Sequence, residues 1–210
     1  MKVMDLGLLD YQQAWDTQKQ VLAERLADTV PDTLILVEHP PVYTLGRSRK
    51  SASNVLNPGK VPVIQVERGG DVTWHGPGQL VAYPIVALPE GHRDLHAYMH
   101  SLEAAVIRTC AAFGVQAGTN ARNTGVWVGP DLAAQRKLYS IGIHCRRWVT
   151  WHGLALNVDP DLSYFEHIVP CGLDGVSMTS LAEELGQGSA PEMDAVKAEL
   201  SAALKDLLQR

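Results

Sequence analysis

"KLYSIGIHCRRWVTWHGLALNVD", residues 137 to 159, is the stretch on which the fold turns. It holds two strand-like runs joined by a short turn, the pattern of antiparallel neighbours. A third run, "NTGVWVG" at 123–129, precedes them. Working outward, 3–8, 33–39, 61–67, 71–74 and 79–88 also read as strands. The 33–39 run, "TLILVEH", is continuously apolar and is ended by Pro40 and Pro41. Helical spacing of Trp15, Val21, Leu22 and Leu26 marks a helix over 10–28, and a long helix over 93–114 stops at Gly114. The C-terminal part reads as helical, with capping boxes at Ser180/Glu183 and Ser189/Glu192. Strands clustered in the middle, with helices between and after them, predict an α+β fold: a mixed, mainly antiparallel sheet flanked by helices. The chain reads as one catalytic domain over 1–210, with its core at about 30–180 and C-terminal helices at 179–210.

At 210 residues the chain is long enough to bury a proper core. No window approaches the ~18 apolar residues of a membrane span, and the first residues lack a signal-peptide apolar core. Three widely spaced cysteines (Cys110, Cys145, Cys171) with no C-x-x-C pair exclude a disulfide framework and a thiolate zinc site. These features predict a cytoplasmic protein with reduced thiols. The net charge of −5 speaks against nucleic-acid affinity, yet it is unevenly placed. No acid occurs between Glu38 and Glu67, where Arg47, Arg49, Lys50 and Lys60 lie, so one face is positive enough to meet an acidic partner.

Chemistry is concentrated in few residues. Walker, G-x-S-x-G, H-E-x-x-H and G-x-G-x-x-G patterns are absent. His92, His96 and His100 recur at helical spacing, but no carboxylate or cysteine completes a metal site, and a solvent-facing stripe is expected. Cys110 and Cys145 have the neighbours of buried packing residues. Cys171 differs: it sits in "HIVPCGLDG", a loop between Pro170 and Gly172, where a scaffold presents reacting groups. Strand alternation puts Lys137 on the inward face with Tyr139, Ile141, Ile143 and Cys145. An ammonium at ~4 Å from a sulfur favours thiolate by up to ~4 kcal/mol at an effective dielectric of 20, before desolvation is subtracted. Lys137 beside Cys171 would therefore make a nucleophile, although 34 positions separate them in the chain.

The segment "RGGDVTWHGPGQL", 68–80, carries four glycines, which implies unusual turns or a ligand lying close against the backbone. Together with "KLYSIGIHCRR", "WHGLALNV" and "PCGL" it resembles the octanoyl-[acyl-carrier-protein]:protein N-octanoyltransferases of protein lipoylation. The four motifs occur in that family's order, from about Leu34 to Thr179. The resemblance implies the fold of biotin and lipoate protein ligases and of class II aminoacyl-tRNA synthetase catalytic domains. It implies that Cys171 carries an octanoyl thioester and that Lys137 supports its thiolate. Arg68, Gly69, Gly70, Asp71, Val72, Thr73, Trp74 and His75 match the acyl-substrate loop. Ser140, Ile141 and Gly142, and Gly153, Leu154 and Ala155, match two further substrate-contacting stretches.

The implied partners are octanoyl-acyl carrier protein as donor, and as acceptors the lipoyl domains of 2-oxoacid dehydrogenase complexes and the glycine-cleavage H protein. Cofactor, metal, nucleic acid and membrane have no place in that chemistry. In this reading Trp74 lines an alkyl tunnel or is simply core, amides near Gly142 and Gly172 form an oxyanion hole, and the carrier docks at 47–60 with Arg136, Arg146 and Arg147. Two alternatives stay open: an ATP-dependent lipoate or biotin protein ligase on the same fold, and a non-catalytic carrier-binding module in which Cys171 is packed.

Overall fold

The computed structural model describes residues 1–130, 134–173, 175–186 and 189–208. The final two residues of the C-terminal helical reading lie outside them. Among the described residues ten strands form two sheets: β1 (Lys2–Leu8), β2 (Thr33–Glu38), β3 (Val42–Leu45), β4 (Val63–Gln65), β5 (Val72–His75), β6 (Gln79–Ile85), β7 (Gly118–Thr119), β8 (Val126–Val128), β9 (Arg136–Arg146) and β10 (Val149–Asn157). The larger has the order β1-β2-β6-β10-β9-β8-β7 and is antiparallel except for β1 beside β2. The smaller has the order β4-β3-β5. The helices are α1 (Tyr11–Leu26), α2 (Leu95–Ala112), α3 (Leu181–Leu185) and α4 (Met193–Leu208). The α+β reading with a mixed, mainly antiparallel sheet is the observed architecture.

Alternation along the strands sends side chains to both faces of the large sheet, and helices cover both. Leu34, Leu80, Leu138 and Leu156 pack with Leu102 and Val106 of α2 and Leu200 and Leu204 of α4. On the opposite face Ile35, Val81, Tyr83 and Ile85 meet Ala14, Val21 and Leu22 of α1. Sheet strands buried on both faces are near-continuously apolar, which is why "TLILVEH" shows no period of two. Asp10 and Asp94 cap α1 and α2 through their carboxylates.

Two expectations fail locally. Ser180 accepts the Glu183 N–H at 3.1 Å, as its capping box requires. Ser189 does not start a helix: its own N–H bonds Gly186, and α4 begins at Met193, after Pro191. The second concerns alternation. The pairing of β8 with β9 shifts register between Val126–Tyr139 and Trp127–Lys137. Such a bulge places successive residues on the same side, so Lys137 leaves the face of Tyr139, which stays in the core, and points with Ser140.

The glycine-rich segment closes β5 onto β6. Gly78 adopts φ +81°, a left-handed turn at which its carbonyl accepts the N–H groups of both Val158 and Asp159.

Candidate active site

Cys171 sits in a single 3-10 turn, Pro170–Gly172, with φ 56° and ψ 18°, left-handed for a residue that carries a side chain. The turn is held by Val169 N–H to the Asn54 carbonyl (2.8 Å), and by Gly172 N–H to Val169 and Leu173 N–H to Pro170 (both 3.0 Å). Strain of this kind, roughly 1–2 kcal/mol, persists only where surroundings fix it, and it clusters at reacting positions. The Gly172 amide itself donates within the turn, to the Val169 carbonyl.

Lys137 is buried, and its Nζ lies 3.3 Å from Cys171 Sγ. The same ammonium donates to the Thr124 carbonyl at 3.2 Å and lies 5.1 Å from the Trp127 ring centre. Among the described residues no carboxylate comes within 4 Å of it. A buried cation without a counter-ion is strongly disfavoured, and the Cys171 sulfur is an ionisable group that the fold places in contact with this lysine. Ser140 Oγ is 3.8 Å from the same sulfur. The 137–171 pairing, separated by 34 positions, is therefore made by β9 and the turn after β10.

The pair stands at one end of a cavity of about 380 Å³. Of the expected residues, Arg68, Gly69, Gly70, Asp71, Thr73, His75, Ser140, Ile141, Gly142, Gly153, Leu154 and Ala155 line it. Val72 and Trp74 do not. They occupy the alternate face of β5, and Trp74 stacks on Tyr164 at 4.9 Å and meets Phe165 edge-on, so it is core of the small sheet. Gly142 shows why its residue type is needed: a Cβ there would stand 2.9 Å from both Arg68 Cδ and the Gly69 carbonyl oxygen. The 68–71 segment lies this close because Gly69 N–H bonds the Ile143 carbonyl at 2.8 Å.

Arg68 is buried, with Nη2 on the Thr44 carbonyl (2.7 Å) and hydroxyl (2.9 Å). Burial lowers its pKa while Tyr11, Cys171, Tyr83 and Asp71 raise it, and a guanidinium keeps its charge. Burial acts to raise the Asp71 carboxyl, but hydrogen bonds from Asn54 and Ser48 and the Val72 amide, with nearby Arg68, hold it below the usual range. At the far end the cavity is lined by Tyr11, Tyr83 and His152, none of which was identified from sequence. They arrive from α1, β6 and β10, and only the position of His152 beside Gly153 offered a local signal.

The histidines here are neutral. Burial pushes His39 down to about 4 and His152 down to about 3, and it holds His75 well below its ordinary value. His39 Nδ1 is 2.8 Å from the Leu9 carbonyl and its Nε2 2.9 Å from the Tyr83 hydroxyl. His75 Nδ1 meets Gln79 Oε1 at 2.7 Å. An unfolded chain protonates these rings below pH 6.5, whereas the folded one excludes the proton down to about 4 for His39. Stability therefore falls as pH drops through that window, by up to ~1.4 kcal/mol per pH unit for each such ring. The urea midpoint at pH 5 is expected below that at pH 7.5, and equal midpoints would contradict this.

Other expectations did not converge on the site. Arg136, at the start of β9, forks onto Glu184 at 2.9 and 2.8 Å, and Arg146 stands at the end of that strand. His100 pairs with Glu103 at 2.9 Å, and no metal-ligating cluster occurs among the described residues. No helix among them is long and apolar enough to cross a membrane.

A family model described as the lipoyl protein ligase A/B catalytic domain matches residues 10–205. The octanoyltransferase of Syntrophobacter fumaroxidans is 47% identical over 190 residues, covering 88% of this chain and 81% of that protein. The octanoyltransferase of Bacteroides thetaiotaomicron is 44% identical, covering 98% and 94%. Among solved structures, an archaeal bi-partite lipoate protein ligase with its E2 lipoyl domain, from Thermoplasma acidophilum, superposes with a TM-score of 0.73 at 13% identity. That match covers 99% of this chain and 83% of that one. Lipoate-protein ligase A bound with ATP gives 0.70 at 13% identity, over 99% and 85%. These distant likenesses carry the fold, and the sequence relatives carry the family. The chain belongs to the lipoyl protein ligase A/B catalytic-domain family.

Proposed function

We propose that this protein is an octanoyltransferase that moves an octanoyl group from acyl carrier protein, through a thioester on Cys171, to a lysine of lipoyl domains. The observation that carries the reading is the 3.3 Å contact between Lys137 Nζ and Cys171 Sγ at one end of the cavity. The names of the sequence relatives agree with it.

The steps balance around one proton. The Cys171 thiolate attacks the octanoyl thioester, a new C–S bond forms and the carrier C–S bond breaks. The departing carrier sulfur takes a proton from the Lys137 ammonium. Neutral Lys137 then accepts a proton from the acceptor lysine, whose amine attacks the acyl-enzyme. The C–N bond forms, the C–S bond breaks, and the thiolate–ammonium pair is restored. Thioester exchange is nearly neutral in free energy, and amide formation drives the second half. Arg68, Gly69, Gly70, Asp71, Thr73, His75 and the stretches 140–142 and 153–155 hold the acyl chain. The loop after β3 lies against the same rim through Ser48 N–H to the Gly70 carbonyl (3.0 Å), and its Arg47, Arg49 and Lys50 receive the acidic carrier. The acceptors are the lipoyl domains of 2-oxoacid dehydrogenase complexes and the glycine-cleavage H protein.

Nucleotide separates this reading from an ATP-dependent ligase, which activates a free acid and has no use for Cys171. Octanoyl transfer from carrier to a lipoyl domain is expected to proceed unchanged with ATP removed and divalent metal chelated. A strict requirement for ATP would replace the transferase reading with the ligase one.

A further inference from the structure

Several buried polar atoms of the cavity lining are unmatched among the described residues. His152 is 1% exposed, yet neither ring nitrogen makes a hydrogen bond to any described residue, and the Glu67 carboxylate stands 3.7 Å from Nε2. Thr73 Oγ1 and Arg68 Nε are likewise buried and unpartnered among the described residues. The neighbouring His39 and His75, by contrast, have partners at both nitrogens. His152 also carries a left-handed backbone, φ 55°. A buried polar atom left without a partner costs about 1–3 kcal/mol, so this cluster favours an occupant that forms hydrogen bonds.

Its distance from the sulfur is set by the strands. Ser140, beside Cys171, and Ile143, paired with His152 across the ladder, are three residues apart on β9. At ~3.3 Å per residue that is roughly 10 Å. An extended eight-carbon acyl chain, rising about 1.3 Å per carbon from ~1.5 Å bonds in a zigzag, also spans roughly 10 Å. Its last carbons therefore reach His152.

We propose that this end of the cavity is a polar seat for the acyl terminus, so that Cys171 accepts acyl chains bearing a hydroxyl on the last carbon, with His152 as the residue that recognises it. A neutral imidazole offers one donor and one acceptor, the complement of a hydroxyl. The inference rests on the octanoyl reading and deepens it. The same C–S bonds form and break, and the hydroxyl takes no part.

The test offers the full-length protein octanoyl and ω-hydroxyoctanoyl thioesters of acyl carrier protein in competition and reads the two adducts by intact mass. A cavity end made of hydrocarbon disfavours the added hydroxyl by about 100-fold. Here the hydroxy adduct is expected to form at more than roughly one tenth of the octanoyl rate, and a smaller ratio overturns the proposal. His152→Leu is expected to lower that ratio roughly tenfold or more, while His152→Gln, which keeps a donor and an acceptor, largely preserves it. A ratio unmoved by His152→Leu removes His152 from the role. An octanoyl adduct without a hydroxy adduct overturns this inference alone, whereas the absence of both removes the octanoyl reading with it.

Discussion

Cys171→Ala is expected to lower octanoyl transfer to a lipoyl domain by at least ~10⁴-fold, the scale on which loss of an enzymatic nucleophile acts. Cys171→Ser is expected to fall nearly as far. A hydroxyl needs a base to become a nucleophile, and the Lys137 ammonium beside it has no lone pair to serve as one. Neither substitution has a structural reason to unfold the protein, since residue 171 lies on a half-buried turn and not in the apolar core. The measurement is the rate of lipoyl-domain mass gain, with urea midpoints taken in parallel. Transfer that survives in the alanine variant would remove the covalent step.

Lys137→Met is expected to lower transfer by ~10²–10⁴-fold, because it removes both the charge that favours thiolate and the group that carries the proton between half-reactions. Lys137→Arg separates these roles. A guanidinium supplies charge but cannot give up a proton. Alkylation of Cys171 at neutral pH therefore survives better in the arginine variant than in the methionine variant, while amine transfer fails in both. Equal alkylation rates for the wild type and Lys137→Met would remove the electrostatic role. Selectivity is available to this assay because burial pushes the Cys110 thiol up to about 12 and raises that of Cys145.

The parts of the site legible in the sequence were those written locally. Pro170-Cys171-Gly172 announces a constrained loop in three residues, and the apolar runs of β2, β9 and β10 announce strands. Lys137 was found by a strand argument that placed it inward, as it is, but on the same face as Tyr139, from which the bulge separates it. The bulge between β8 and β9, which turns it toward Cys171, depends on a partner strand and leaves no mark in the alternation of β9 itself. Thr124 contributes a backbone carbonyl, which any residue type supplies. Tyr11, Tyr83 and His152 meet only after α1 and β6 pack around β10, and singly each reads as an ordinary buried polar residue. Trp74 and Thr73 show the reverse case. One motif spans a strand whose two faces serve different ends, core on one side and cavity on the other.

The central claim is that one thiol of three, paired with one lysine, carries the acyl group. It is tested most directly by exposing the wild-type protein to octanoyl-acyl carrier protein with no acceptor present, then weighing the intact chain and mapping the adduct by peptide. The account expects a gain of a single octanoyl group, located on Cys171 and lost on addition of a lipoyl domain. An octanoyl group found on Cys110 or Cys145, or full transfer with no acyl-enzyme at any time, would contradict it.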